Sequence, residues 1–468
     1  MSGLFSTISS ASSALNAESQ AINITSNNIA NLNNPDYSRE VVSFNDLGSV
    51  ETPDGVESMG ISTTVQQERN SVLDQMVQQQ ASITSGVQSE QNVLQQAQAS
   101  LGENITSSST SDSASTTSTS GLSVALNNFF SAFQGLAADP TDSGEAQTVV
   151  EQAGVLTDRF QEIDSNLSQV QANANEQVSD GVSSANTLLT QIASLNSQIS
   201  SLEAGAPGSA VDLRDQREGD LETLAGLIPI SVTENAQGED QVTTTAASGS
   251  PVTLVSNAAV PNALSFSAGV ISAGSTALAP SSGSLQGTLA ASTGSVQTLR
   301  DSLNALATQI VTAVNQAYNP SGTAGGNLFL GTGTTAGTIA LDPSFTPATV
   351  QAGTGAAGDN SIAIAVGNLA NTVFSTAGGD AIDGSITQYY AGAVSTIGEA
   401  LDTANTQVTD QTNVQTVVVN QRQSTSGVSV DEEMSNLMTY QRAFQASSEV
   451  FQVLDSLLGT VVNNLVSP

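Results

Sequence analysis

Both ends of the chain are written in heptads. Near the N-terminus, Ile8, Leu15, Ile22 and Ile29 fall seven apart. Leu4, Ala11 and Leu32 hold the companion row, which Glu18 and Thr25 interrupt. At the C-terminus, Val430, Leu437, Phe444, Phe451, Leu458 and Leu465 repeat at the same interval. Tyr440, Leu454 and Val461 fill the second row there, with Ser447 as its polar member. Steps of three and four residues in alternation are the period of a coiled coil, where a partner helix must cover the apolar stripe. The two ends therefore predict terminal helices that pair as a coiled coil. A core helix packed within one chain would show the same period. Packing between chains is favoured by two features. The stripes lie at the termini, where an isolated chain frays. They also lack the flanking charge pairs of a stand-alone dimer, since only Arg422 and Arg442 lie near the C-terminal stripe.

The interior continues in helical periods. Val149, Ala153, Leu156, Phe160, Ile163, Leu167, Val170 and Ala174 step by four and three. Val178 and Val182 add a stutter, and the pattern resumes from Ala185 to Leu202. Unbroken, this predicts a rod of roughly 80 Å, ended by Gly205-Ala206-Pro207-Gly208. Further helices are expected from about Val65 to Leu101, Leu122 to Leu136, Val211 to Leu227 and Val296 to Ala317, with more beyond Asp359. Pro35 should end the first helix and open a turn. Residues 40–61 read as extended, and the Ser/Thr run 106–120 as a flexible loop. From 229 to 287 the period changes to two between Gly, Pro, Asn and Ser turns, which predicts a small β-rich insertion. The fold class is mainly α, with a helical-bundle rod between the terminal helices. The expected domains are 1–45 with 425–468, 46–228 with 288–424, and 229–287.

Composition removes most chemistry. The 468 residues carry 43 Asp plus Glu against 8 Lys plus Arg, a net charge of −35. All eight cations are Arg, and there is no Lys, His, Cys or Trp. Without Cys there is no thiolate, disulfide or Cys-based zinc site. Without His the commonest general base and metal ligand is missing, and without Lys there is no P-loop or Schiff base. Eight arginines cannot neutralise nucleic-acid phosphates against such a charge, so no nucleic-acid partner is expected. No window approaches the roughly 18 apolar residues of a membrane span. The N-terminus has no basic region or long apolar core of the Sec type.

The surviving motifs each have a plain structural explanation. Gly353-Thr354-Gly355-Ala356-Ala357-Gly358 matches the dinucleotide pattern, with Asp380 at a suitable distance, but no buried strand precedes it. A Gly-rich turn before a helix starting near Asp359 accounts for it. Asp212 with Asp215, and Glu432 with Glu433, are carboxylate pairs. Asp431-Glu432-Glu433 sits where a helix N-terminus favours acids. Tyr37 and Arg39 follow the first helix directly. A solvated turn accounts for them, and a specific contact at the handover to the next domain does so equally. No calcium loop is present, and no cofactor or metal residue is expected.

Two terminal motifs add a resemblance. Asn27-Asn28-Ile29-Ala30-Asn31 with Asn34-Pro35-Asp36-Tyr37-Ser38-Arg39 resembles the N-terminal motif of flagellar rod, hook and hook-associated axial proteins. Val430-Asp431-Glu432-Glu433-Met434, Leu437 and Tyr440 to Ser447 are similar to the C-terminal motif of that family. Three internal stretches, Ala125 to Phe160, Asp212 to Leu224 and Gly358 to Ser361, resemble its hook–filament junction branch. The β insertion matches nothing, Asp36 stands where the family has Gly, and Asn34 replaces Thr.

The resemblance implies a non-enzymatic structural subunit joining the hook to the filament. It implies export by the flagellar type III apparatus, a cytoplasmic stage before it, and an extracellular place at the distal hook end. The implied partners are hook protein, a second junction protein, copies of the chain in a ring, and a cytosolic export chaperone on the C-terminal helix. No membrane insertion is implied. The implied axial motif is Asn31, Pro35, Tyr37, Ser38 and Arg39. The implied assembly seam is Leu4, Ile8, Leu15, Ile22, Ile29, Val430, Leu437, Phe444, Phe451, Leu458 and Leu465. Hook protein or the second junction protein are alternatives within the family. An acidic surface hydrolase using a carboxylate pair is the alternative outside it.

Overall fold

In the computed structural model, residues 2–35, 37–52, 55–102, 121–323, 326–355 and 358–466 are described. The expected loop 106–120, Asp36 and the Ala356-Ala357 pair lie outside the described residues. The helices are α1 Ser2–Ala30, α2 Ser71–Ser100, α3 Leu122–Ala138, α4 Ser143–Glu203, α5 Val211–Leu227, α6 Ser284–Ala291, α7 Gln297–Tyr318, α8 Ser361–Asn368, α9 Ile386–Ser426 and α10 Val430–Val466. The strands are β1 Glu40–Asp46, β2 Ser49–Thr52, β3 Gly55–Ser58, β4 Ile61–Gln67, β5 Ser231–Glu234, β6 Asp240–Thr245, β7 Pro251–Val255, β8 Leu264–Ser267, β9 Val270–Ala273 and β10 Thr276–Ala277. The chain is thus mainly α, with small antiparallel sheets set into it.

Two units divide the chain. The first comprises Met1–Thr84, Val182–Ser281 and Gln411–Pro468, and the second Ser85–Gly181 and Ser282–Asp410. The second unit holds an apolar core drawn from α3, α7, α8 and parts of α4 and α9. Phe129 stacks edge-on against Phe130 at 5.1 Å and Phe133 at 5.3 Å between ring centroids. Phe160 and Phe329 are as fully buried as these. The four-and-three steps in α4 and the heptads in α7 supply the apolar faces that close on these rings.

In the first unit, β1 pairs with β4 so that Val42 lies opposite Val65. The second helix therefore starts later than the Val65 expected from the sequence. Residues 61–67 complete a hairpin instead, and Asn70 Oδ1 caps α2 by accepting from the Val72 and Leu73 amides at 3.1 and 3.3 Å. The expected β insertion is present as two three-stranded sheets, β5-β6-β7 and β8-β9-β10. Asn196 of α4, fully buried, locks the insertion to the helices. It donates to the carbonyls of Asp240 and Asn257 and accepts from the Asp240 amide and Arg217 Nη1, at 2.8 to 3.0 Å. Arg217 completes the lock with a buried ion pair to Asp240 at 2.8 Å. At Gly238, with φ +77°, a side chain would collide with Arg214 and Glu203.

Of the glycine-rich match, the described residues Gly353 to Gly355 and Gly358 lie in neither a helix nor a strand. Asp359 accepts from the Gly355 amide at 2.8 Å and the Ser361 amide at 3.0 Å, which caps α8 two residues later than expected. Among the described residues no strand precedes it.

Candidate assembly interface

The two heptad ends come together as α1 and α10, in the first unit. The helix α1 packs along α10 and also across β1 and β4. Its fully buried row is Ala17, Ala21, Thr25 and Asn28, all small or polar. Small side chains let the hairpin backbone approach closely. Ser13 Oγ accepts from the Ile61 amide at 3.3 Å, and Thr63 hydrogen-bonds Gln20. The expected apolar row of Ile8, Leu15, Ile22 and Ile29 is half-buried.

On α10 the heptad row runs Glu433, Leu437, Tyr440, Phe444, Ser447, Phe451, Leu454, Leu458 and Val461, and Glu433 and Ser447 in it bond to α1. Of these only Glu433 is buried, and Phe444 is 36% exposed. Val430, at 42%, is more exposed still. The side chains of Leu4 and Leu465 lie outside the described residues. Two of the polar interruptions seen in the sequence meet each other, since Ser447 Oγ donates to Glu18 Oε1 at 3.0 Å. A polar pair inside an apolar seam fixes register.

Asn28 is the centre of the junction between the helices. Its Nδ2 donates to the Glu40 carbonyl at 2.9 Å and to Glu433 Oε2 at 3.1 Å. Its Oδ1 accepts from Tyr37 Oη at 2.8 Å and the Glu40 amide at 3.0 Å. One buried side chain thus uses every hydrogen-bonding capacity it has and ties α1, the turn, β1 and α10 together. Arg39 reaches the same acid from the other side, with Nε 2.9 Å from Glu433 Oε1. Its Nη1 pairs with Glu432 at 3.0 Å and Glu68 at 3.4 Å. Its own amide donates to the Ser426 carbonyl at the end of α9, at 2.9 Å. Glu432 and Glu433 do occupy the first turn of α10, and their position also supplies the ligands of Arg39.

Beneath the turn lies a polar layer that the sequence reading missed. Arg69 pairs with Asp215 at 2.7 Å and Glu218 at 3.0 Å. Arg422 pairs with Glu222, lies 3.8 Å from Asp74, and donates through Nη2 to the Pro35 carbonyl at 3.2 Å. Gln67 holds Asp215 at 2.8 Å. Acids outnumber cations here, and burial pushes Asp74 up to about 7 and Asp215 up to about 6. Burial, with Asp212 and Asp215 nearby, pushes Glu40 up to about 7. Burial and then Glu40 hold the Tyr37 phenol above its ordinary range.

Of the axial motif, Tyr37, Ser38 and Arg39 converge on this junction, and Pro35 touches it through its carbonyl. Asn31 makes a local bond to the Asn27 carbonyl at 3.1 Å. Asn28 and Glu433 were absent from the expected site. The signal for Asn28 was its place at the end of the Ala17-Ala21-Thr25 row. The arrangement binds and positions helices. Asp74, Asp215, Glu218, Glu222, Glu432 and Glu433 each lie against an arginine, and among the described residues no acids form a metal-holding group.

Comparison with known proteins agrees along the chain. The flagella basal body rod protein family matches residues 8–37, the helical domain of flagellar hook-associated protein FlgK matches 108–329, and the C-terminal region of flagellar basal body rod FlgEFG proteins matches 419–465. Flagellar hook-associated protein 1 of Bacillus subtilis (strain 168) is 26% identical over 521 aligned residues, spanning 99% of each chain. That of Escherichia coli (strain K12) is 24% identical, spanning 98% of this chain and 99% of the relative. The structure of the flagellar hook junction protein FlgK from Burkholderia pseudomallei superposes with a TM-score of 0.63. It covers 75% of this chain and 100% of that one at 16% identity, a likeness of fold.

Proposed function

The chain belongs to the flagellar hook-associated protein 1 family, structural proteins of the hook–filament junction, and from that premise we propose how its geometry does the joining. The carrying observation is that α1 and α10 are clamped at one end by Asn28, Arg39 and Glu433 while their apolar rows stay half-covered. The clamp sets the angle and register of the pair. The half-covered rows, Ile8 to Ile29 and Val430 to Leu458, are the surfaces that neighbouring subunits complete. A second stripe on α10 supports packing on more than one side. Ala443, Ala446, Val450, Val453 and Leu457 alternate steps of three and four, and the last three are each more than half exposed.

In this reading Tyr37, Ser38 and Arg39 hold the handover from the axial helices to the outer parts of the subunit. Residues 1–45 with 425–468 act as the axial part, 46–228 with 288–424 as the rod, and 229–287 as an insertion. Hook protein lies below, a second junction protein above, and copies of the chain beside it. Before export by the type III apparatus, a cytosolic chaperone covers the exposed face of α10. The role is mechanical, with no catalytic step. An apolar helix surface of this extent in a soluble subunit marks an interaction surface.

Deleting the gene and imaging the cells by electron microscopy tests this reading. The expected result is hooks without filaments and filament subunits lost to the medium. Missing hooks would point to another axial member, and normal filaments would overturn the reading.

A further inference from the structure

The hairpin built from β1 to β4 carries an apolar surface that the chain leaves open. Phe44, Leu47, Met59 and Ile61 are each between 37% and 55% exposed. Register gathers them into one patch. Asp46 lies opposite Ile61, the Leu47 amide donates to the Gly60 carbonyl at 3.0 Å, and the Met59 amide donates to the Gly48 carbonyl at 2.9 Å. Leu47 and Met59 are thus each bonded across the ladder to a glycine, which has no side chain to cover them. Those glycines are required at the bend, with φ of +82° at Gly48 and +92° at Gly60. A side chain at Gly60 would collide with Ser13 of α1, so the bend is seated on that helix. The Phe44 ring centroid lies 6.1 Å from that of Tyr440 on α10. The patch therefore continues the half-covered seam of the terminal helices out onto the hairpin. Two exposed acids, Asp46 and Glu51, flank it.

The complement stands on α10. Seven of the eight arginines pair with acids of the chain, none of them Asp46 or Glu51. Arg442 is the exception among the described residues, and it is exposed. It borders the second stripe of α10. Steps of four and seven put Ala446 and Val453 almost in line with it on the helix. Val453 and Leu457 are each more than half exposed. One surface is thus apolar with acids at its edge, and the other is apolar with a cation at its edge. Within one chain Arg442 pairs with neither acid, so the match is made between chains. A bilayer fits the hairpin poorly, because its anionic headgroups would repel Asp46 and Glu51.

We propose that the hairpin bend of one copy docks on the second stripe of α10 in a neighbouring copy, with Arg442 of that neighbour meeting Asp46. The inference rests on the reading that copies assemble side by side. Two different surfaces meet, so the contact is heterologous, the kind that generates a ring or a helical row. Apolar burial supplies the attraction. The charge pair at its rim fixes the register between neighbours.

Cross-linking tests it cleanly, because the chain has no Cys. Cells make two tagged chains, one with Met59→Cys and one with Val453→Cys, and are treated with a short bismaleimide. A dimer of the two different chains at hook ends is expected. Met59→Cys linked instead to another flagellar protein would overturn the proposal. So would absence of the mixed dimer while both tagged chains stand at hook ends. Tagged chains found elsewhere than hook ends would instead overturn the family reading beneath it. Filament retention gives a second readout. Met59→Glu should leave the thermal melting of the isolated chain unchanged. It should raise filament protein in the medium about tenfold, the factor that 1.4 kcal/mol makes in an equilibrium. Arg442→Glu should also raise the loss, and adding Asp46→Arg should bring it back toward the wild-type level. Normal retention by Met59→Glu would count against the docking surface.

Discussion

The second unit and the terminal pair use the same helical periods to opposite ends. In the second unit, Phe129, Phe133, Phe160 and Phe329 are each 0% exposed, and the apolar rows of several helices close on one another. In the terminal pair, the largest fully buried apolar residues among those described are Ala17 and Ala21, and Phe444 and Val430 stay 36% and 42% exposed. A heptad row therefore reports that a helix needs covering, and the number of neighbours decides how far it is covered. The second unit supplies its own neighbours. The terminal pair has one helix and one hairpin, and polar contacts at Asn28, Arg39 and Glu433 fix what apolar burial leaves loose.

The largest effect should separate the two regions directly. Phe129→Ala should cost about 3–5 kcal/mol in thermal unfolding of the isolated chain, as cavities in closed cores do. Phe444→Ala should cost only about 1 kcal/mol there, since full burial of a Phe is worth about 1.5–3, yet it should block assembly on hooks. Equal losses of stability would break the comparison. Next in size is the clamp. Arg39→Ala leaves Glu433 buried with its charge unpaired, which should cost about 2–3 kcal/mol after discounting for the partly exposed arginine. The loss should appear as faster exchange in α1 and α10, with the second unit's amides unchanged. Arg39→Lys should recover only part, because a point charge cannot serve three carboxylates.

The acidic layer should show itself in pH. Glu40 and Asp74 are raised to about 7 and Asp215 and Asp240 to about 6 in the folded chain. Between the ordinary carboxylate range and those values the folded state binds more protons than the unfolded state. Stability contributed by these groups is therefore fully present below about pH 4 and falls as pH rises through 6 to 7. Lowering the pH from about 7.5 to 5.5 should stabilise the first unit by roughly 1–3 kcal/mol, read from chemical denaturation at each pH. The smallest effect belongs to the seam pair. Ser447→Ala alone should cost about 0.5–1.5 kcal/mol, whereas replacing Glu18 and Ser447 together by Leu should be neutral or stabilising. That double variant should also loosen the register that the polar pair fixes.

The helices and the insertion were readable because their signals are periodic and local. The rows of α4, α7 and α10 and the period-two run from 229 needed no knowledge of partners. The start of α2 was misplaced because residues 61–67 are recruited by pairing with residues 40–46, a long-range choice. The interface was half-legible for the same reason. Glu18 and Ser447 were visible as interruptions, but their meeting needed the register of two helices 429 positions apart. Asn28 looks like any helical asparagine until the turn, β1 and Glu433 are brought to it. The layer of Arg69, Arg422, Asp74, Asp215 and Glu218 draws on three separated segments and leaves no mark in any one of them.

Hydrogen exchange on the isolated chain and on the chain assembled at hook ends tests the central claim most directly. If the terminal pair is a core left open for neighbours, amides of α1 and α10 should exchange far faster than those of α3 and α7 in the isolated chain. On assembly they should gain protection while the second unit does not change. Equal protection of terminal and second-unit amides in the isolated chain, with no gain on assembly, would contradict the account.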